Sequence, residues 1–173
     1  LGLPDSLLGV SWPLMQPYFK VPFGFAGLVS MTISGGTIVS SLLSSRALKR
    51  FGTGKVTAVS VLMTAVALLG ISLAPSFFWL FLLALPLGLG AGAVDSGLNE
   101  YVAEHYAARH MSWLHCFWGV GALSGPLIMS RYTALGESWR TTYRTIAVIQ
   151  FVLVAIIALS LPLWGKAARA KAA

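Results

Sequence analysis

From Val56 to Val94 the chain carries no charged side chain, and most of its charges fall between apolar runs long enough to form membrane helices. That spacing is the strongest constraint on the fold. Hydrocarbon cannot solvate charges or free backbone polar groups, so a spanning segment must be a helix of about 20 mostly apolar residues or a strand of a closed barrel. The runs here are of helical length. Of 173 residues, 57% are hydrophobic and 10% charged, whereas soluble domains carry about a quarter charged residues. The expected fold is an all-α membrane protein, a six-transmembrane-helix bundle forming a single domain over residues 1–173.

The runs can be placed one by one. The first is Leu1 to Phe19, broken by Lys20-Val21-Pro22, and the second is Phe23 to about Ser45. A basic loop, Arg46 to Lys55, follows. The third run is Val56 to Ala74, closed by Pro75-Ser76. The fourth starts near Phe78 and passes through Asp95, with a polar end between Ala103 and Arg109. The fifth is Met111 to Ser130, and a polar stretch holding Arg131, Glu137, Arg140 and Arg144 leads to the sixth, Thr145 to Trp164. Residues 165–173 read as a basic tail with Lys166, Arg169 and Lys171. No charged leader or small-residue cleavage site marks a signal peptide before the first run.

The net charge of +7 sits between apolar runs, so membrane topology and anionic lipid account for it better than nucleic acid does. Alternating the loops puts Arg46, Lys49, Arg50, Lys55, Arg109, Lys166, Arg169 and Lys171 on one side. Lys20, Arg131, Arg140 and Arg144 fall on the other. The richer side is expected to be cytoplasmic, with both ends of the bundle there, in a cell membrane such as the bacterial inner membrane. The lone Cys116 gives no disulfide framework, and no metal-ligand or cofactor motif is present. Gly88-Leu89-Gly90-Ala91-Gly92 lies inside an apolar run with no Lys after it, which fits close helix packing rather than a phosphate loop.

The chain also repeats itself. Gly2-Leu3-Pro4-Asp5-Ser6 matches Gly92-Ala93-Val94-Asp95-Ser96, and Ser34-Gly35 matches Ser124-Gly125. The offset is the same in both, since 95 − 5 = 90 and 124 − 34 = 90. Three helices per repeat would invert the second copy, giving a 3+3 inverted repeat of residues 1–74 and 78–164. By the same register the first helix would begin about a dozen residues before Leu1.

Chemistry concentrates on few residues. The acids are Asp5, Asp95, Glu100, Glu104 and Glu137. The repeat puts Asp5 and Asp95 near the bilayer midplane, where a carboxylate is costly unless neutralised, paired or hydrated. Desolvation favours a carboxyl's neutral form, so such a group can take up and release protons near neutral pH. The plainer readings are a helix-capping role for Asp5 and a hydroxyl-bonded structural role for Asp95. Asp5 shares a helical face with Trp12 and Gln16, and Asp95 shares one with Asn99. Acid, amide and aromatic plane on one stripe suit a hydroxylated ring. Trp12 could equally anchor at the interface, and Gln16 and Asn99 could bond between helices. His115 reads either as a packing residue or as a proton relay to Asp95, and Trp118 lies three residues on. Glu100, Glu104, His105 and His110 read as solvated or paired.

The six runs, the repeat and the basic loop resemble the major facilitator superfamily, amino-terminal half. Arg50, Gly52 and a displaced Lys55 match its loop signature loosely; Ser45 and Lys49 stand where the signature has Gly and Asp. The sequence Asp95-Ser96-Gly97-Leu98-Asn99-Glu100-Tyr101 is similar to the fucose and glucose/galactose proton symporter branch, which usually carries Glu at the first position. That resemblance implies a secondary transporter of a small polar solute, a sugar, coupled to protons by alternating access. Asp5 would contact substrate, Asp95 would take the proton, and His115 would stand where relatives carry a polar cavity residue. A second six-helix half is implied as partner, either a second copy in a homodimer or a carboxy-terminal half. A drug/proton antiporter and a non-transporting membrane subunit are the alternatives; no catalytic constellation points to an enzyme.

Overall fold

The computed structural model describes residues 2–172, with side chains described for 2–164. Seven helices follow one another: α1 (Gly2–Asp5), α2 (Leu7–Phe19), α3 (Phe25–Phe51), α4 (Thr53–Leu73), α5 (Phe77–His105), α6 (Ala108–Ala134) and α7 (Trp139–Ala172). No strand occurs among the described residues. The protein is a helical membrane bundle. Among the described residues, four helices are long and apolar enough to cross a membrane, namely α3, α4, α5 and residues 139–164 of α7. The pair α1–α2 is interrupted at Ser6. Helix α6 has the length, but it carries Arg109, His110, His115 and Arg131.

Two expected loops are shorter than the charge pattern implied. Helix α3 continues through Arg46–Phe51, because Ala47, Leu48, Lys49 and Arg50 are good helix formers and nothing breaks the helix before Gly52. Lys49 and Arg50 in its last turn also complement the negative end of the helix dipole. Gly52 alone separates α3 from α4, at φ 82°, where a side chain would be strained. Its N–H closes on the Leu48 carbonyl at 2.9 Å. The polar stretch before the last run contracts to Leu135–Ser138, turning at Gly136 with φ 76°. Residues expected as a tail continue α7 in backbone as far as Ala172, and the side chains of Lys166, Arg169 and Lys171 lie outside the described residues.

Lipid supplies no hydrophobic drive between helices, so small residues and interhelical hydrogen bonds have to hold them. A Cβ at Gly88 would collide with the Ile33 backbone, and one at Gly92 with the backbone of Thr37. These positions let α3 and α5 approach closely. The hydroxyls of Thr37 and Ser40 then donate to the carbonyls of Gly88 at 3.2 Å and Leu89 at 2.5 Å. On the other flank of α5, Gly90 faces Ser60 and Thr64 of α4. Thr64 donates to Gln150 Oε1 of α7 at 3.3 Å, and Gly54 packs under Trp164. Helix α4 is thereby the core element. Opposite, Gly2 of α1 lies against Trp118 and Ala122 of α6, and Gly125 of α6 lies against Leu3.

The ends of α2, α4 and α7 are pinned by Arg140. Its guanidinium donates to the Ala74 carbonyl at 2.7 Å and lies over the rings of Tyr18 (4.6 Å) and Trp139 (5.1 Å).

Candidate functional site

The break between α1 and α2 positions the site. The Ser6 hydroxyl leaves the helix direction and donates to the Ala122 carbonyl of α6 at 2.7 Å. One residue earlier, Asp5 Oδ2 accepts a hydrogen bond from the Trp118 indole Nε1 at 2.9 Å. Two consecutive residues of the broken helix are therefore fastened to α6. A charge-assisted bond of this kind is stronger than a neutral one and fixes the carboxylate's direction.

Asp5 is on the wall of a cavity of about 170 Å³ between α1, α2, α3, α4, α5 and α7. Its polar lining comes from Asp5, Ser30, Ser34, Thr64 and Tyr143; the remainder is apolar. Ser11 and Tyr143 share a hydrogen bond at 3.0 Å behind that wall. Ala91, one turn before Asp95 on α5, also lines the cavity. Asp95 itself is exposed. The described residues give Asp95 no salt bridge.

The other sequence-derived candidates divide. Trp118 joins Asp5 directly. Asn99 is half-buried, with a buried Oδ1 that has no hydrogen-bond partner among the described residues. His115 is exposed on α6. Trp12 and Gln16 are not on the cavity wall. Trp12 is 2% exposed, donates to the Phe23 carbonyl at 2.8 Å and meets Phe77 edge to face. Gln16 donates to the Val21 carbonyl at 2.8 Å. Both were expected on the Asp5 stripe; α1 and α2 are interrupted at Ser6, and the two side chains brace the α2–α3 connection instead.

Sequence reasoning missed Ser30, Thr64 and Tyr143. Ser34 had a signal, since it belongs to the repeated Ser-Gly pair. Tyr143 sat in a stretch read as a polar loop, and Thr64 in a run read only for its hydropathy.

Comparison with known proteins agrees with this architecture. The Major Facilitator Superfamily profile matches residues 1–172, and the chain belongs to that superfamily. Among its relatives, the Glucose/mannose transporter GlcP of Bacillus subtilis (strain 168) is 26% identical over 133 residues, covering 76% of this chain and 31% of the relative. The Niacin transporter NiaP of Acinetobacter baylyi is 28% identical over 112 residues, 62% of this chain and 24% of the relative. The Cis,cis-muconate transport protein of the same organism is 24% identical over 160 residues, 90% of this chain and 38% of the relative. The chain thus spans between 24% and 38% of these relatives. No solved structure matches. These three relatives are named as transporters or transport proteins.

Proposed function

We propose that this chain is a six-span half of a secondary transporter, moving a small polar solute, a sugar, by alternating access coupled to protons. The observation that carries the reading is Asp5, held by Trp118 at a helix break on a cavity wall. Interrupted helices at membrane depth are where such carriers place their binding sites. In this reading Asp5 contacts substrate, and Asp95, with no ion-pair partner among the described residues, takes the proton. Asn99 and His115 face the substrate path. Trp118 supports Asp5, and Trp12 and Gln16 are scaffold. The glucose/mannose transporter among the relatives supports a sugar.

The 3+3 repeat is part of the same proposal. Gly2 and Gly92, 90 positions apart, each seat their helix against a helix of the other repeat, Gly2 on α6 and Gly92 on α3. An inverted pair would exchange contacts in this way. The site is completed by a second six-helix half, a second copy or a carboxy-terminal half. At about 170 Å³ the cavity is smaller than the roughly 300–1,000 Å³ of ordinary ligand pockets. The basic ends face the cytoplasm of a bacterial cell.

A second reading, an organic-anion carrier, is favoured by the niacin and muconate transporters among the relatives. Uptake of labelled sugars, niacin and muconate into proteoliposomes under an imposed pH gradient separates the two. The expected result is gradient-driven sugar accumulation that disappears in Asp95→Asn, while sugar exchange at equal pH persists. Undiminished accumulation in that variant would remove Asp95 as the coupling group.

A further inference from the structure

At the opposite end from Arg140 there is a second crevice, of about 280 Å³, among α3, α4, α5 and α7. It opens around Gly52, the single residue linking two membrane-spanning helices, so it lies at a membrane surface. One wall is apolar, from Leu48 and Leu161. Another is aromatic: Tyr101 stacks on His105 at 4.3 Å and meets Trp164 at 5.0 Å. Trp164 is oriented by its indole N–H, which donates to Ser160 at 3.0 Å.

The charge is one-sided. No acid lines the crevice. Glu104 is outside it, 4.0 Å from His105 Nδ1. Lys55 lines the crevice, is exposed, and has no salt bridge among the described residues. Lys49 and Arg50, in the last turn of α3, add positive potential beside it.

We propose that this crevice binds the headgroup of an anionic phospholipid, with the Lys55 ammonium on the phosphate and the Tyr101–Trp164 pair flanking the glycerol region. A basic pocket between spanning helices at the membrane surface suits an anionic headgroup. Tyr and Trp favour the same interfacial depth because one end of each ring is apolar and the other polar. Leu48 and Leu161 offer an acyl chain apolar contact that a free anion would not use. The crevice shares no lining residue with the cavity that holds Asp5.

The test is thermal unfolding of the detergent-solubilised protein, titrated with phosphatidylglycerol, phosphatidylcholine or inorganic phosphate. Phosphatidylglycerol should raise the midpoint and phosphatidylcholine should not. Lys55→Gln should need about fivefold more phosphatidylglycerol for the same shift, the weight of one basic side chain near a charged surface. Lys55→Arg should titrate close to the parent. Equal shifts with both lipids, or Lys55→Gln titrating like the parent, would overturn the site. A full shift from phosphate alone would overturn the lipid and leave a small-anion site.

Discussion

Helices α4 and α6 differ sharply in what surrounds them. In α4, 11 of 21 residues are buried; in α6, 2 of 27 are, Gly125 and Met129. Helix α4 is enclosed by α5 on one side and α7 on the other, with Gly54 and Gly90 removing the bulk that would hold them apart. Helix α6 is attached mainly through the short α1, by Gly2, Gly121 and Gly125 and by the bonds to Asp5 and Ser6. Its outer surface shows Phe117 and Leu123. One region is closed on both sides within this chain, while the other reaches the candidate site only through the Trp118–Asp5 bond and leaves its outer surface open. The lesson is that buried small residues mark the scaffold here, and exposed polar and aromatic residues beside a helix break mark the site.

The largest effect should come from driving the enclosed region apart. Gly88→Leu places a side chain against the Ile33 backbone, which cannot rotate away, and should cost at least about 3 kcal/mol. The readout is the unfolding midpoint and the yield of folded protein in detergent. Wild-type stability would mean that α3 and α5 separate easily, and the contrast with α6 would collapse.

Trp118→Phe tests the open region and should act on function more than on stability. It keeps a ring but removes the hydrogen bond to Asp5, an interaction with a charged group worth about 1.5–3 kcal/mol. Substrate affinity near neutral pH should fall roughly tenfold, with little change in unfolding midpoint. Unchanged affinity combined with a large stability loss would make this bond a structural tie rather than part of the site.

The smallest effect is expected at Thr64→Val. Thr64 donates to Val61 and Gln150, and interhelical hydrogen bonds in membranes average only about 0.6 kcal/mol. A loss of that order would show that close packing, more than polar pairing, holds the enclosed region. A loss several times larger would transfer that role to the Thr64–Gln150 pair.

Much of the bundle was legible because hydropathy reports membrane length directly. The uncharged stretch from Val56 to Val94 held most of α4 and of α5. The exact ends were not legible, because charge alone does not stop a helix: Arg46–Arg50 stayed helical where only Gly52 supplied the left-handed turn. At the candidate site, Asp5 and Trp118 could be named from sequence, but their bond could not, since it joins residues 113 apart. The stripe that put Trp12 and Gln16 beside Asp5 needed one helical register from Asp5 onward. Ser6, bonded sideways to Ala122, interrupts that helix; the local signals were the capping reading of Asp5 and Pro13, a residue that can kink a helix and blur the register beyond it. Tyr143 was hidden by the charges around it, Arg140 and Arg144.

The connector lengths bear on how the bundle can move. A residue spans at most about 3.6 Å of extended chain, so Gly52, standing alone between helices of 27 and 21 residues, leaves almost no slack between α3 and α4. The four residues from Leu135 to Ser138 allow α6 and α7 about 14 Å. The Gly52 end therefore couples α3 and α4 more closely than the Leu135–Ser138 connector couples α6 and α7.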